Sequence, residues 1–168
     1  MEGPSLVIAC EELKPFLKKK IKKSSGNTKI SFSDFNKKEI VKAESWGKHL
    51  LLTVANNTFR IHFLMFGSYR IGNPRQNREP KLLLQYENEK IYFYSCAIKK
   101  LENNWRKEYD WSVDLMSPKW DPKKALIKLK DRADDQIADV LMDQNIFSGL
   151  GNIMKNEILF ILRLHPET

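Results

Sequence analysis

Between residues 29 and 95 six short apolar-rich segments follow one another with little but turns between them, and this spacing constrains the fold more than any other feature of the chain. They cover 29–33, 39–44, 48–54, 59–66, 81–86 and 90–95. Strands this closely spaced and bounded by turn residues predict an antiparallel sandwich or barrel. Asn56-Asn57 is read as a tight hairpin, since Asn tolerates positive φ, and Glu87-Asn88-Glu89 as a second hairpin tip.

The flanks are helical. Leu6, Cys10, Leu13 and Leu17 recur at the spacing of one helical face, with Pro15 expected to kink or restart that helix. Residues 103–120 are aromatic and polar without a clear period, which reads as a linker that packs its tryptophans. Asp121-Pro122 then forms a helix start, with Ala125, Leu126 and Leu129 on one face. Further helices are predicted over 135–142 and 152–162, separated by a turn carrying Gly149 and Gly151. The predicted class is α+β: an N-terminal helix plus an antiparallel β-sandwich over 1–104, a linker over 105–120, and the first helices of an α-helical domain over 121–168.

Charge narrows the partner. Lys+Arg number 29 against 21 for Asp+Glu, a formal +8, which favours an anion such as nucleic acid, membrane headgroups or acidic protein. Seven lysines and no acid lie between Leu13 and Ser33. No apolar run approaches a membrane span, and Glu2 stands where a signal peptide carries basic residues. Cys10 and Cys96 are too few for a Cys-rich zinc site or a disulfide scaffold, so a reducing cytoplasm is the expected compartment.

Five local features carry chemistry. The turn Gly149-Leu150-Gly151-Asn152 opens a helix whose free N–H groups suit an anion such as phosphate, with Asn152 placed to cap it. Lys48 leads into a strand and either points to a ligand or is a solvated edge residue. His62 shares a strand face with Arg60 and Leu64, while Ile61, Phe63 and Met65 face the other way. Met65-Phe66-Gly67 is either core filling or a wedge for a base stack. Glu2 sits beside the terminal α-amine, which is less basic than a lysine and a usable nucleophile toward an aldehyde or hemiacetal carbon.

Taken in order, these stretches resemble the formamidopyrimidine-DNA glycosylase / endonuclease VIII family. The matching segments are Glu2-Gly3-Pro4, Gly47-Lys48-His49-Leu50-Leu51-Leu52, His62-Phe63-Leu64-Met65-Phe66-Gly67, and Leu141 through Asn152 continuing to Glu157 and His165-Pro166. The last resembles that family's helix–two-turn–helix entry. Tyr94-Ser95-Cys96 followed by Ile98 is closer to the endonuclease VIII branch. The resemblance implies base-excision repair of oxidised bases, pyrimidines foremost, by a bifunctional glycosylase and AP lyase. A damaged base is flipped from double-stranded DNA, an N-terminal amine attacks the sugar C1′, and the resulting Schiff base drives strand cleavage. Position by position, it assigns Met1 as the amine, Glu2 as acid/base residue and Lys48 as the lysine near the lesion. His62, Asn152 and Arg70 become DNA contacts, and Met65 fills the vacated stack. A monomer in a bacterial cytosol or nucleoid is expected, with no cofactor in this chain and no membrane partner.

The chain departs from the family pattern in three places. Met1 stands where the family has proline, so a primary amine replaces a secondary one. Ser5 stands where a second acid is common. The sequence stops at Thr168, inside the helical domain, so a fragment of a longer protein is expected, without the zinc finger that a full-length relative carries. The alternative is a non-catalytic DNA-binding module, or an inactive fragment, of the same fold.

Overall fold

The computed structural model describes residues 1–167. Helix α1 (Gly3–Leu13) starts with Pro4 in its first turn, where the missing N–H is harmless. It buries Leu6 and Leu13 completely, while Cys10 and Leu17 are half-buried. Pro15 acts as expected: the α-helix stops at Leu13 and a short 3-10 turn, Lys14–Phe16, follows.

Six strands come next: β1 (Lys23–Ser25), β2 (Ile40–Trp46), β3 (His49–Val54), β4 (Asn57–Ile71), β5 (Leu82–Gln85) and β6 (Lys90–Lys100). All neighbours pair antiparallel, in the order β1-β5-β6-β4-β3-β2. The two layers foreseen in the sequence are thus two halves of one continuous sheet. Both halves feed one core, in which Leu50, Leu52 and Ile61 from one side cluster with Leu82, Leu84 and Phe93 from the other and with Leu6 of α1. Each such fully buried side chain contributes about 1.5–3 kcal/mol over an exposed one.

Three expectations change. Residues 29–33 are not a strand: the edge strand is Lys23–Ser25, and Phe32–Asp34 forms a 3-10 turn. The alternation there is real, but Ile30 and Phe32 pack on the core from a loop, held by Ser24, whose N–H donates to Asn36 Oδ1 and whose hydroxyl donates to the Phe32 carbonyl. The β3–β4 turn is Ala55-Asn56, one residue earlier than expected, with Ala55 taking the positive φ of 50°. Strand β4 runs well past Phe66, because it bulges rather than ends. Phe63 pairs with Cys96 and Ser68 with Tyr94, so four residues (64–67) face the single Ser95. The bulge extrudes Leu64, Met65 and Phe66, which are 50%, 88% and 71% exposed. The two-face alternation therefore holds through Phe63 and fails after it. Gly67 makes the bulge possible, since a Cβ there would stand 2.7 Å from the Ser95 carbonyl oxygen.

The segment after β6 packs its aromatics as expected. Trp105 and Tyr109 bury against Leu51, with Trp46 and Trp111 beside them. Helices α2 (Pro122–Lys130), α3 (Ile137–Met142) and α4 (Asn152–Leu162) follow. Asp121 caps α2, accepting from the Lys123 N–H at 3.0 Å. Ala125 and Leu129 of α2 face inward, but Leu126 is 56% exposed, contrary to the predicted face. None of these helices is long and apolar enough to cross a membrane.

Candidate active site

The site is assembled where the start of α1, the β2–β3 turn and the start of α4 meet. Gly3 donates its N–H to the Gly149 carbonyl at 2.9 Å, joining the first residues of the chain to the double-glycine turn. That turn is shaped by Gln144, a residue the sequence reading passed over. Its side-chain nitrogen donates to the carbonyls of Met142 and Leu150, and its oxygen accepts from the Gly149 N–H.

Glu2 occupies the helix start prepared by this turn. Its Oε1 accepts from the Ile153 N–H at 2.8 Å and its Oε2 from the Met154 N–H at 3.2 Å. These are among the backbone donors that α4 cannot satisfy internally, and a carboxylate also complements the positive end of the helix dipole. The anion expected on α4 is thus the protein's own. Asn152 is not the cap: Gly151 holds that position without a side chain, and Asn152 is the exposed first residue of the helix. Any side chain at Gly151 would run into the Glu2 carboxylate.

Lys48 is half-buried in the two-residue β2–β3 turn, and burial lowers its pKa while the nearby Glu2 carboxylate opposes the shift. It is therefore not the fully solvated edge lysine of the simpler reading. His62 sits on β4 opposite His49 of β3. Burial lowers the His62 pKa, and Arg60, the terminal amine and Lys48 push it the same way. His62 is consequently neutral at pH 7, with one ring N–H to donate. His49 meets the His62 ring edge-on, with centroids 5.5 Å apart, and stacks on Trp46 at 5.7 Å. Burial drives its pKa down to about 4, and its Nδ1 has no hydrogen-bond partner among the described residues. His49 was legible only as part of a motif: its register with His62 depends on the turn at Ala55-Asn56, and a turn at Asn56-Asn57 would have set it opposite Leu64.

Met1 lines a cleft with Glu12, Gly67, Ser68, Tyr69, Arg70 and Ile71. Arg70 is thereby brought to the amine end of the chain, and Met65 stands on the bulge two residues from the cleft wall. Tyr69 donates its hydroxyl to Glu12 across the cleft at 2.7 Å. Lys48 thus feels the Glu2 carboxylate and His62 feels the terminal amine and Lys48, with Asn152 at the helix start that Glu2 holds. Core filling is excluded for Met65 by its exposure. Among the described residues no cluster of three or more His, Cys, Asp or Glu side chains could hold a metal ion.

Comparison with known proteins gives consistent matches. The family model described as the formamidopyrimidine-DNA glycosylase H2TH domain matches residues 114–168. Endonuclease 8-like 3 of Mus musculus is 35% identical over 130 residues, covering 73% of this chain and 22% of that protein. Endonuclease 8 2 of Mycobacterium tuberculosis is 29% identical over 131 residues, covering 73% of this chain and 51% of that protein. Among solved structures, Lactococcus lactis formamidopyrimidine-DNA glycosylase bound to DNA with an AP site superposes with a TM-score of 0.85 at 20% identity, covering 100% of this chain and 71% of that one. A viral DNA glycosylase superposes with a TM-score of 0.82 at 21% identity, covering 100% and 72%. The match to the mouse protein spans only 22% of its length.

Proposed function

Because the chain belongs to the formamidopyrimidine-DNA glycosylase / endonuclease VIII family, we propose that it is the amine-bearing part of a base-excision-repair glycosylase and AP lyase acting on oxidised bases in double-stranded DNA. One observation carries the reading: the Glu2 carboxylate, next to the terminal amine, is held by the Ile153 and Met154 N–H groups, while Lys48 senses that carboxylate and His62 senses the amine.

The residues divide the work by their chemistry. The formal charge of +8 draws the protein to the phosphate backbone in a salt-dependent, sequence-blind way. His62, neutral but still a donor, holds a phosphate oxygen beside the lesion, with Asn152 and Arg70 as further contacts. A damaged base leaves the stack more cheaply than a sound one, and Met65 enters the vacancy from the bulge. The Met1 amine donates its lone pair to C1′ as the glycosidic bond breaks, and the base departs with the bonding pair and a proton. Glu2, the carboxylate beside that amine, moves protons as the sugar opens and the imine forms. Loss of a proton from C2′ then expels the 3′ phosphate. Lys48, less basic than a solvated lysine, lies on the lesion side. Free thiols at Cys10 and Cys96 suit the cytoplasmic or nucleoid location of a bacterial DNA enzyme.

Borohydride reduction in the presence of duplex carrying an oxidised pyrimidine tests the reading. The expected product is a covalent protein–DNA adduct whose mass and peptide map place the DNA on the Met1 nitrogen. A protein that binds this duplex tightly yet never forms an adduct is the DNA-binding module instead.

A further inference from the structure

At the end of α1 away from Glu2, the 3-10 turn Lys14–Phe16 and the stretch that follows it meet the β5–β6 hairpin around a cavity of 470 Å³. Its size lies within the range of small-ligand sites, about 300–1,000 Å³. The 11 residues of α1 separate it from the Glu2 end, a rise of roughly 16 Å at about 1.5 Å per residue.

The cavity wall is held in place by backbone bonds. Lys18 adopts a φ of 60° and donates its N–H to the Ile40 carbonyl at 2.8 Å. Ile21, fully buried, donates to the Lys38 carbonyl, and Lys22 to that of Gln85. Lys19 and Lys20 are presented between these anchors. On the opposite wall Tyr86 packs its ring on Phe16, centroids 5.1 Å apart, and is only 4% exposed.

The Tyr86 hydroxyl is buried and has no hydrogen-bond partner among the described residues. Leaving such a group unsatisfied costs about 1–3 kcal/mol, so an acceptor brought into the cavity would recover that cost. Burial raises the pKa of this hydroxyl, so it remains a donor. The charges around it are unequal in availability. Lys22 is paired with Glu87 at 2.5 Å. Glu89 turns its carboxylate toward Gly72, where a Cβ would stand 3.8 Å from Oε2. Lys19 and Lys20 have no acidic partner among the described residues, and the Lys19 ammonium lies 5.8 Å from the centre of the Phe16 ring. Two ammonium groups and one hydroxyl donor lining a concave surface suit a compact, multiply charged oxyanion.

We propose that this pocket binds a phosphate group, that of a nucleic-acid strand end or of a free nucleotide, with Lys19, Lys20 and the Tyr86 hydroxyl as its donors. The site stands apart from Glu2 and does not depend on the reaction assigned there.

The test compares a short 3′-labelled single strand carrying a 5′ phosphate with the same strand lacking it, by fluorescence anisotropy on the whole chain. The phosphorylated strand is expected to bind at least fivefold more tightly. Tyr86→Phe, which keeps the ring packed on Phe16, reduces that preference threefold or more, and the Lys19→Gln/Lys20→Gln pair abolishes it. Amide NMR shifts on titration fall on Lys19, Lys20 and Tyr86. Competition by millimolar inorganic phosphate assigns the site to the phosphate group alone. Stronger competition by a deoxynucleoside 5′-monophosphate assigns it to a nucleotide, and failure of both with the preference retained assigns it to a strand end. Equal binding of the two strands by the unmodified protein overturns the proposal, as does a full preference in both variants.

Discussion

The carboxylate of Glu2 accepts the backbone N–H of Ile153, 151 residues further along the chain, at 2.8 Å, and so caps helix α4 from outside it. The same contact ties the first residues of the chain to the double-glycine turn, so under the proposed function stability and chemistry share one side chain.

Removal of this cap is expected to show in both properties. Glu2→Ala leaves two helix donors without an acceptor and lowers stability by about 0.5–2 kcal/mol. Glu2→Gln keeps one acceptor, loses the charge and sits nearer the lower bound. Both variants reduce the rate of base excision by roughly 10²–10⁴ if Glu2 is the acid/base residue. Urea unfolding and single-turnover excision measure the two effects separately, and an undiminished rate in Glu2→Gln would falsify the catalytic role.

Gly151→Ala approaches the same contact from the other partner. The new methyl overlaps the Glu2 carboxylate, which must leave the helix start. The expected outcome is a loss of borohydride trapping approaching that of Glu2→Gln, with Glu2 itself intact. Trapping at the unmodified rate would show that the capping geometry is dispensable.

The histidines set a pH dependence. Burial holds the pKa of His49 at about 4 and lowers that of His62 from the ordinary 6.5. The unfolded chain therefore binds more protons than the folded one below pH 6.5, so this contribution to stability is complete above that value and declines as pH falls toward 4. The urea midpoint should drop across this interval, and His49→Phe should flatten the decline. A His49 ring that titrates near 6.5 by NMR contradicts the assignment.

Met65 separates function from stability in the opposite sense to a core residue. At 88% exposure, Met65→Ala is expected to leave the unfolding free energy within about 0.5 kcal/mol. Excision of a base from duplex DNA falls about tenfold under the proposed function, while cleavage of a pre-formed abasic site falls less. Equal losses on both substrates argue against a role in filling the stack.

Gly67→Ala tests the bulge that exposes Met65. The added Cβ would stand 2.7 Å from the Ser95 carbonyl oxygen and 2.9 Å from the Leu64 nitrogen, both backbone atoms. Forcing it in costs about 1–3 kcal/mol, measurable as a lower urea midpoint. An unchanged midpoint would show that β4 can straighten without penalty.

Much of this arrangement was legible along the chain. Period-two alternation through Phe63 marked the inner face of β4, and Asp121-Pro122 marked the start of α2, because both signals lie in neighbouring residues. The misreadings have a common cause. Residues 29–33 alternate like a strand, yet hydrogen bonding from Ser24 draws the segment into a loop over the core. Leu126 fits a helical stripe, yet it stays 56% exposed in the fold. Asn152 has the chemistry of a cap, and a more distant carboxylate takes the donors instead.

By itself the sequence determined most of the segments that bury their side chains, roughly where the turns between them lie, and which residues carry the family's motifs. Those properties rest on local periodicity, backbone preference and side-chain chemistry. Only the tertiary structure decided that Glu2 is the anion on α4, that His49 stands against His62, and that Leu64, Met65 and Phe66 are extruded together. Each of these depends on which distant backbone groups remain unpaired once the sheet and helices have closed, a quantity that no stretch of neighbouring residues contains.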